Sequence, residues 1–195
     1  MAAAGRVCTG YSKPYVALYG ESGGVVSYTS GQLLARGVSV TLDIQAADEN
    51  KFYADNIVAE DASGTFGGGT VTLVNDGLKR TAARLIYGLP AADGDGWVAC
   101  DDDTAIPYVG IGYIKRYMEE GVTSWVPVVL KKCKFQMFGD DAATQEEEID
   151  WQTQELTATV MRDDSAKHCW RLLGNEYASE ALAEAALKAA LDITP

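Results

Sequence analysis

The sequence has a single histidine, His168, and its four cysteines, Cys8, Cys100, Cys133 and Cys169, stand far apart with no C-x-x-C pair. Zinc sites draw on closely spaced Cys and His ligands, so a Cys/His metal centre is excluded on both counts. The thiols read as reduced, buried, small apolar groups. Positive charge is scarce too: 16 Lys and Arg against 28 Asp and Glu leave a net charge of −12. A protein that grips nucleic acid in the usual way needs basic surface to displace phosphate counterions, and that class is excluded. A surface that faces nucleic acid without holding it is not. No apolar run approaches the ~18–20 residues of a membrane span. The start, MAAAGRVCTGY, lacks a basic segment followed by an apolar core, so it reads as no secretory signal and points to folding in a cytoplasm. Prolines number five against 20 glycines, which suits many short strands with tight turns.

What is present is mostly period-2 alternation, the mark of half-buried strands. Val38, Val40, Leu42 and Ile44 alternate with Ser39, Thr41, Asp43 and Gln45. In Thr144 to Met161 an acidic run (Glu146, Glu147, Glu148, Asp150) gives way to Leu156, Ala158 and Val160 alternating with Glu155, Thr157 and Thr159. Ile149 and Trp151 fall on the other parity, so the phase slips near Thr153 or Gln154, as a β-bulge or a strong twist would make it do. Pro14–Tyr19 and Val25–Thr29 flank the turn Gly20–Gly24 as a hairpin, and Thr70–Val74 is a short strand. Tyr108–Met118 and Val122–Phe135 are long strands joined by Glu119-Glu120-Gly121, and Lys167–Leu173 is the last strand. Asp76 reads as the N-cap of a helix from about Gly77 to Tyr87, with Leu78, Ala82, Leu85 and Ile86 as its stripe and Gly88 as its stop. Ser179 caps a C-terminal helix, Glu180 to about Leu191 within 179–195, with Leu182, Ala186 and Ala190 on one face.

Two stretches read differently. Residues 1–14 are polar and read as an N-terminal arm. Residues 46–69 show no lasting period; a segment of that length in a compact domain is expected to serve assembly, with Phe52, Tyr53, Ile57 and Val58 as docking residues. With no repeat and no linker, the whole of 1–195 reads as one mainly β domain. The expected fold is an antiparallel β-sandwich or part-closed barrel with a flanking α-helix and a C-terminal helix.

Catalytic motifs are few and poorly placed. Gly20-Glu21-Ser22-Gly23-Gly24 matches the G-x-S-x-G of hydrolases, and His168 with Asp163 or Asp164 completes a Ser…Asp…His order. That motif works at a strand-to-helix turn, whereas VVSYT follows here, so a hairpin explains it better. Gly64–Gly69 lacks the Gly-Lys-Ser/Thr ending of a phosphate loop. The acidic runs 101–103 and 146–148 lack the alternating ligands and turn glycine of a Ca²⁺ loop. No catalytic, cofactor-binding or metal-binding residue is therefore assigned, and the chain is not read as an enzyme.

What remains is a surface. Ser39, Thr41, Asp43 and Gln45 form one polar strand face and Glu155, Thr157 and Thr159 another, with Thr70 and Thr72 able to join them. Ordinary exposed faces mix Lys and Arg with Glu; a face of hydroxyls and acids suits a smooth wall along which DNA slides without sticking. The basic strand end Lys131, Lys132 and Lys134 precedes the acidic run containing Glu146, Glu147 and Glu148. Such blocks can pair within a subunit or head to tail between copies. Rival readings are a sugar-binding β-sandwich (adhesin or lectin-like) with Trp97 or Trp125 as its platform, and an esterase using Ser22.

Five long segments carry a resemblance: CTGYSKPYVA (8–17), GQLLARGVSV (31–40), NKFYADNIVAED (50–61), PYVGIGYIKRYMEEGV (107–122) and ATQEEEIDWQTQELTATVMRDD (143–164). In these the sequence resembles the major tail protein, or tail tube protein, of long non-contractile-tailed bacteriophages, over nearly the whole chain apart from 89–105. The resemblance implies hexameric rings stacked into a tube, with the sheets of neighbouring subunits joined around a lumen. It implies a tape-measure protein in that lumen, tail terminator and distal tail proteins as partners, later passage of DNA, assembly in the host cytoplasm and a place in the virion. It implies no enzymatic activity and no cofactor.

Overall fold

The computed structural model describes residues 5–47, 51–61, 64–137, 139, 144 and 151–194, with backbone alone for 51–53 and 57–61. In chain order the elements are β1 (Val7–Ser22), β2 (Val25–Leu33), β3 (Gly37–Ala46), β4 (Lys51–Ala54), β5 (Ile57–Asp61), β6 (Phe66–Asn75), α1 (Arg80–Tyr87), β7 (Tyr108–Glu119), β8 (Val122–Phe135), β9 (Gln154–Met161), β10 (Arg171–Leu173) and α2 (Glu180–Ala190). One antiparallel sheet runs β2-β1-β7-β8-β9-β6-β3, with β10 added on β8, and β4-β5 form a separate hairpin. The sheet curls until Tyr11 of β1 meets Gly37 of β3, where an added Cβ would lie on the tyrosine ring. It does not close into a barrel: β2 and β3 remain its two edges.

Alternation splits the side chains between two apolar clusters. Inside the curl lie Val16, Val71, Leu73, Val109, Ile111, Leu156 and Val160, and α1 plugs the space with Ala82, Ile86 and Tyr87. Outside, on β1, β7 and β8, Tyr15, Ala17 and Val129 receive α2 through Ala183, Leu187 and Leu191. Gly112 makes that seat possible, because a Cβ there would stand 2.7 Å from Leu187 and 2.9 Å from Leu191. The fold is thus mainly β, an antiparallel part-closed sheet with one flanking and one C-terminal helix, as the sequence pattern implies.

Three hairpins turn on two-residue loops with both residues at positive φ: Gly23-Gly24 (60° and 81°), Asp55-Asn56 (51° and 64°) and Glu120-Gly121 (46° and 82°). This conformation matches the twist of the strands it joins. Ser22 accordingly sits at a strand end paired with Val25, in a strand-to-strand turn and not a hydrolase elbow.

Several expectations are corrected. From Val7 onward the polar arm 1–14 is strand: Val7 to Ser12 pair with Met118 to Ile114 of β7, with register shifts absorbing Thr9 and the Lys13–Pro14 step. The irregular segment 46–69 holds the β4–β5 hairpin and the start of β6, because Asp55-Asn56 supplies a turn that periodicity does not register. Asp76 caps no helix; it accepts hydrogen bonds from the backbone N and side-chain Nε of Arg36, tying β3 to β6, and α1 starts later, after Lys79. The phase slip near Thr153 is a strand boundary and not a bulge: β9 begins at Gln154, and Trp151 before it is exposed. The last strand covers only Arg171–Leu173. The buried face of α2 is Ala183/Leu187/Leu191, one position on from Leu182/Ala186/Ala190, and Leu182 is exposed. Only Cys133 is a buried thiol, its pKa pushed up by burial, while Cys8 and Cys100 are exposed and Cys169 half-buried; all four are free. Gly88 at φ 66° and Ser179, which accepts a hydrogen bond from the Leu182 N–H, end and start their helices as expected.

Candidate functional site: an open polar sheet face

α2 covers the outer surface of the curl over β1, β7 and β8 and leaves β3, β6 and β9 bare. The register joins these three strands rung by rung. Thr41 pairs with Thr72, which pairs with Thr157; Asp43 pairs with Thr70, which pairs with Thr159; Ser39 pairs with Val74, which pairs with Glu155; and Gln45 lies opposite Gly68. Directly paired residues point to the same side of a sheet. The two polar faces read separately from the sequence are therefore one surface, with β6 as the bridge between them. Ser39, Thr41, Asp43, Gln45, Glu155 and Thr159 are exposed and Thr157 half-exposed, while Leu73, Leu156, Ala158 and Val160 behind them are buried. Among the described residues β3 pairs with β6 alone, so the outer edge of this face is there an unpaired strand of 10 residues with no proline and no lysine to blunt it.

The face does not stay free of basic residues, as its three strands taken alone suggest. β8 follows β9, and Lys134 pairs with Thr159 and with Tyr108, extending the rung to Asp43–Thr70–Thr159–Lys134–Tyr108. Lys134 is exposed and Tyr108 is 42% exposed, with the ammonium 5.5 Å from the ring centroid. The alternation Cys133-Lys134-Phe135 signals that Lys134 points outward; which strand lies beside it is a non-local fact.

The other predicted contact residues fall elsewhere. Lys131 lies 3.6 Å from the buried Asp163, and Lys132 is 2.6 Å from Asp164, which also accepts from the Tyr19 hydroxyl at 2.9 Å. Lys132 first and Tyr19 second hold the Asp164 carboxyl below its ordinary pKa. Two of the three lysines expected to meet a neighbour are thus already paired within the chain, by the Arg162–Ser165 turn instead of the 146–148 run. Glu146, Glu147 and Glu148 lie outside the described residues. Phe52, Tyr53, Ile57 and Val58 stand on the β4–β5 hairpin, where Tyr53 pairs with Val58. Of the two tryptophans considered as a sugar platform, Trp97 is 75% exposed, whereas Trp125 is half-buried and bridged to Tyr177.

Among the described residues no group of three or more His, Cys, Asp or Glu side chains is arranged to hold a metal. Among the same residues no helix is long and apolar enough to cross a membrane. No protein-family model matches the sequence, and no curated protein does.

Proposed function

We propose that this chain is a structural virion protein, the tail tube subunit of a long non-contractile-tailed bacteriophage. Copies form hexameric rings that stack into a tube, and the β3–β6–β9 face lines a lumen that carries DNA into the host. The observation that carries this reading is the in-register union of three strands into one bare hydroxyl-and-carboxylate surface, ending in an unpaired edge. Rings formed edge to edge use such an edge, because pairing it with another copy satisfies the open N–H and C=O groups. Asp43 and Glu155 repel phosphates, and the short Ser and Thr side chains leave the bore open. The partners of this role are other copies, a tape-measure protein within the lumen, and tail terminator and distal tail proteins at the ends. Assembly takes place in the host cytoplasm, DNA passes without specific binding, and the role needs neither catalysis nor a cofactor.

Negative-stain microscopy of the purified full chain tests this. Hollow rings or tubes are the expected result; a monomer at every concentration and salt overturns it. The exposed Trp97 favours one competitor, a carbohydrate-binding module, for which glycan binding by a monomer, lost in Trp97→Ala, is the expected signature.

A further inference from the structure

Lys134 is the one lysine of the β8 cluster that no carboxylate among the described residues neutralises, whereas Lys131 and Lys132 are paired with Asp163 and Asp164. Asp164 is engaged by Lys132, whose ammonium lies 4.7 Å from the same Tyr108 ring, and the acids of the β3–β6–β9 face are distant. Asp43 is three strands away on the same rung, which at about 4.8 Å per strand is roughly 14 Å. Glu155 is four residues along β9 from Thr159, roughly 13 Å at about 3.3 Å per residue. Both backbone separations exceed the Debye length of about 8 Å at physiological salt, so neither acid forms a close ion pair with the ammonium. Tyr108 beside it orients the charge through its ring. The hydroxyls of Thr159 and Thr70 continue the same rung with further hydrogen-bond donors.

Resting on the tube reading above, we infer that Lys134 is the point at which this face touches the phosphates of a passing polyanion. The wall is then not uniformly repulsive. Each subunit holds a duplex off with Asp43 and Glu155 and meets it at one cationic stripe, a contact weak enough to release and regular enough to keep the duplex centred.

The test uses the full chain in its assembled form, with a short double-stranded DNA as probe, comparing the parent with Lys134→Gln and Lys134→Arg between about 50 and 200 mM salt. Each neutralised phosphate contributes about −0.9 to the slope of log affinity against log salt. The expected result is a slope shallower by about 0.9 per engaged copy in Lys134→Gln, with the parent slope restored in Lys134→Arg and particles of the same form in all three. Identical slopes in parent and Lys134→Gln overturn the inference and leave the tube reading standing. Loss of particles in Lys134→Gln with DNA binding unchanged also overturns it, because Lys134 then meets the carboxylates of another copy. Absence of particles in the parent overturns the tube reading itself.

Discussion

Replacing Glu184 with glutamine should loosen α2 from the sheet, and the loss should fade in acid. Glu184 faces β1 from α2. Its carboxylate accepts from the Tyr15 hydroxyl at 2.5 Å and lies 3.0 Å from Lys188 and 3.2 Å from Lys13. Burial raises its pKa, but the hydrogen bonds from Tyr15, Lys188 and Lys13 outweigh this and hold it down to about 2, against an ordinary 4.5. A depressed carboxylate pKa stabilises the fold fully above the unfolded value and loses that contribution as pH falls through the folded one. The window therefore opens near pH 4.5 and closes near pH 2, with more than half the effect gone by pH 3. At about 1.36 kcal/mol per pKa unit the ceiling is about 3.4 kcal/mol. The side chain is 17% exposed, and screening plus the ordering of two lysines reduce the effect to about 1–2 kcal/mol. For a chain of this length that corresponds to a drop in Tm of about 2–8 °C at pH 7. Urea or thermal unfolding of parent and Glu184→Gln at pH 7 and pH 3 measures it. Equal stability at pH 7, or a difference that is the same size at pH 3, refutes the reasoning.

Three further outcomes are expected. Gly112→Ala places a methyl into Leu187 and Leu191 and should cost about 1–3 kcal/mol by overpacking, visible as a lower urea midpoint at an unchanged m-value. Replacing Asp43 and Glu155 together with lysine should leave tubes intact and slow genome ejection; unchanged ejection kinetics would count against a phosphate-repelling wall. Amide exchange in the β4–β5 hairpin should slow on assembly if residues 46–69 form a contact between copies, and equal protection before and after assembly removes that role.

The parts of this fold that sequence discloses are those written locally. Val122–Phe135 matches β8 residue for residue because Glu120-Gly121 fixes its start. β3 alternates cleanly in sequence because one face is polar and the other apolar, with Val40 and Leu42 half-buried against the core. Ser179 marks α2 because a cap is a contact three residues long. The register of α2 was illegible for the converse reason. Alanines line most of its length, so two stripes at helical spacing compete, Leu182/Ala186/Ala190 and Ala183/Leu187/Leu191, the second with two leucines to the first's one. The choice is made by the gap at Gly110 and Gly112 on β7, more than 60 residues upstream. Asp76 misled because an aspartate before a helical stripe is a cap only when nothing stronger claims it, and Arg36 does. The candidate site was legible as two separate polar faces. Their junction through Thr70 and Thr72, and the arrival of Lys134 beside Thr159, depend on strand order, which periodicity does not encode.

The central claim concerns which surface meets the bore, and a cryo-electron microscopy map of the assembled protein tests it most directly. The Thr41–Thr72–Thr157 and Asp43–Thr70–Thr159 rungs should face a central channel, with the half of the sheet covered by α2 turned away from it and the free edge of β3 paired with a neighbouring copy. A channel lined by α2, or a map in which these rungs are buried between subunits or lie on the outer wall, contradicts it.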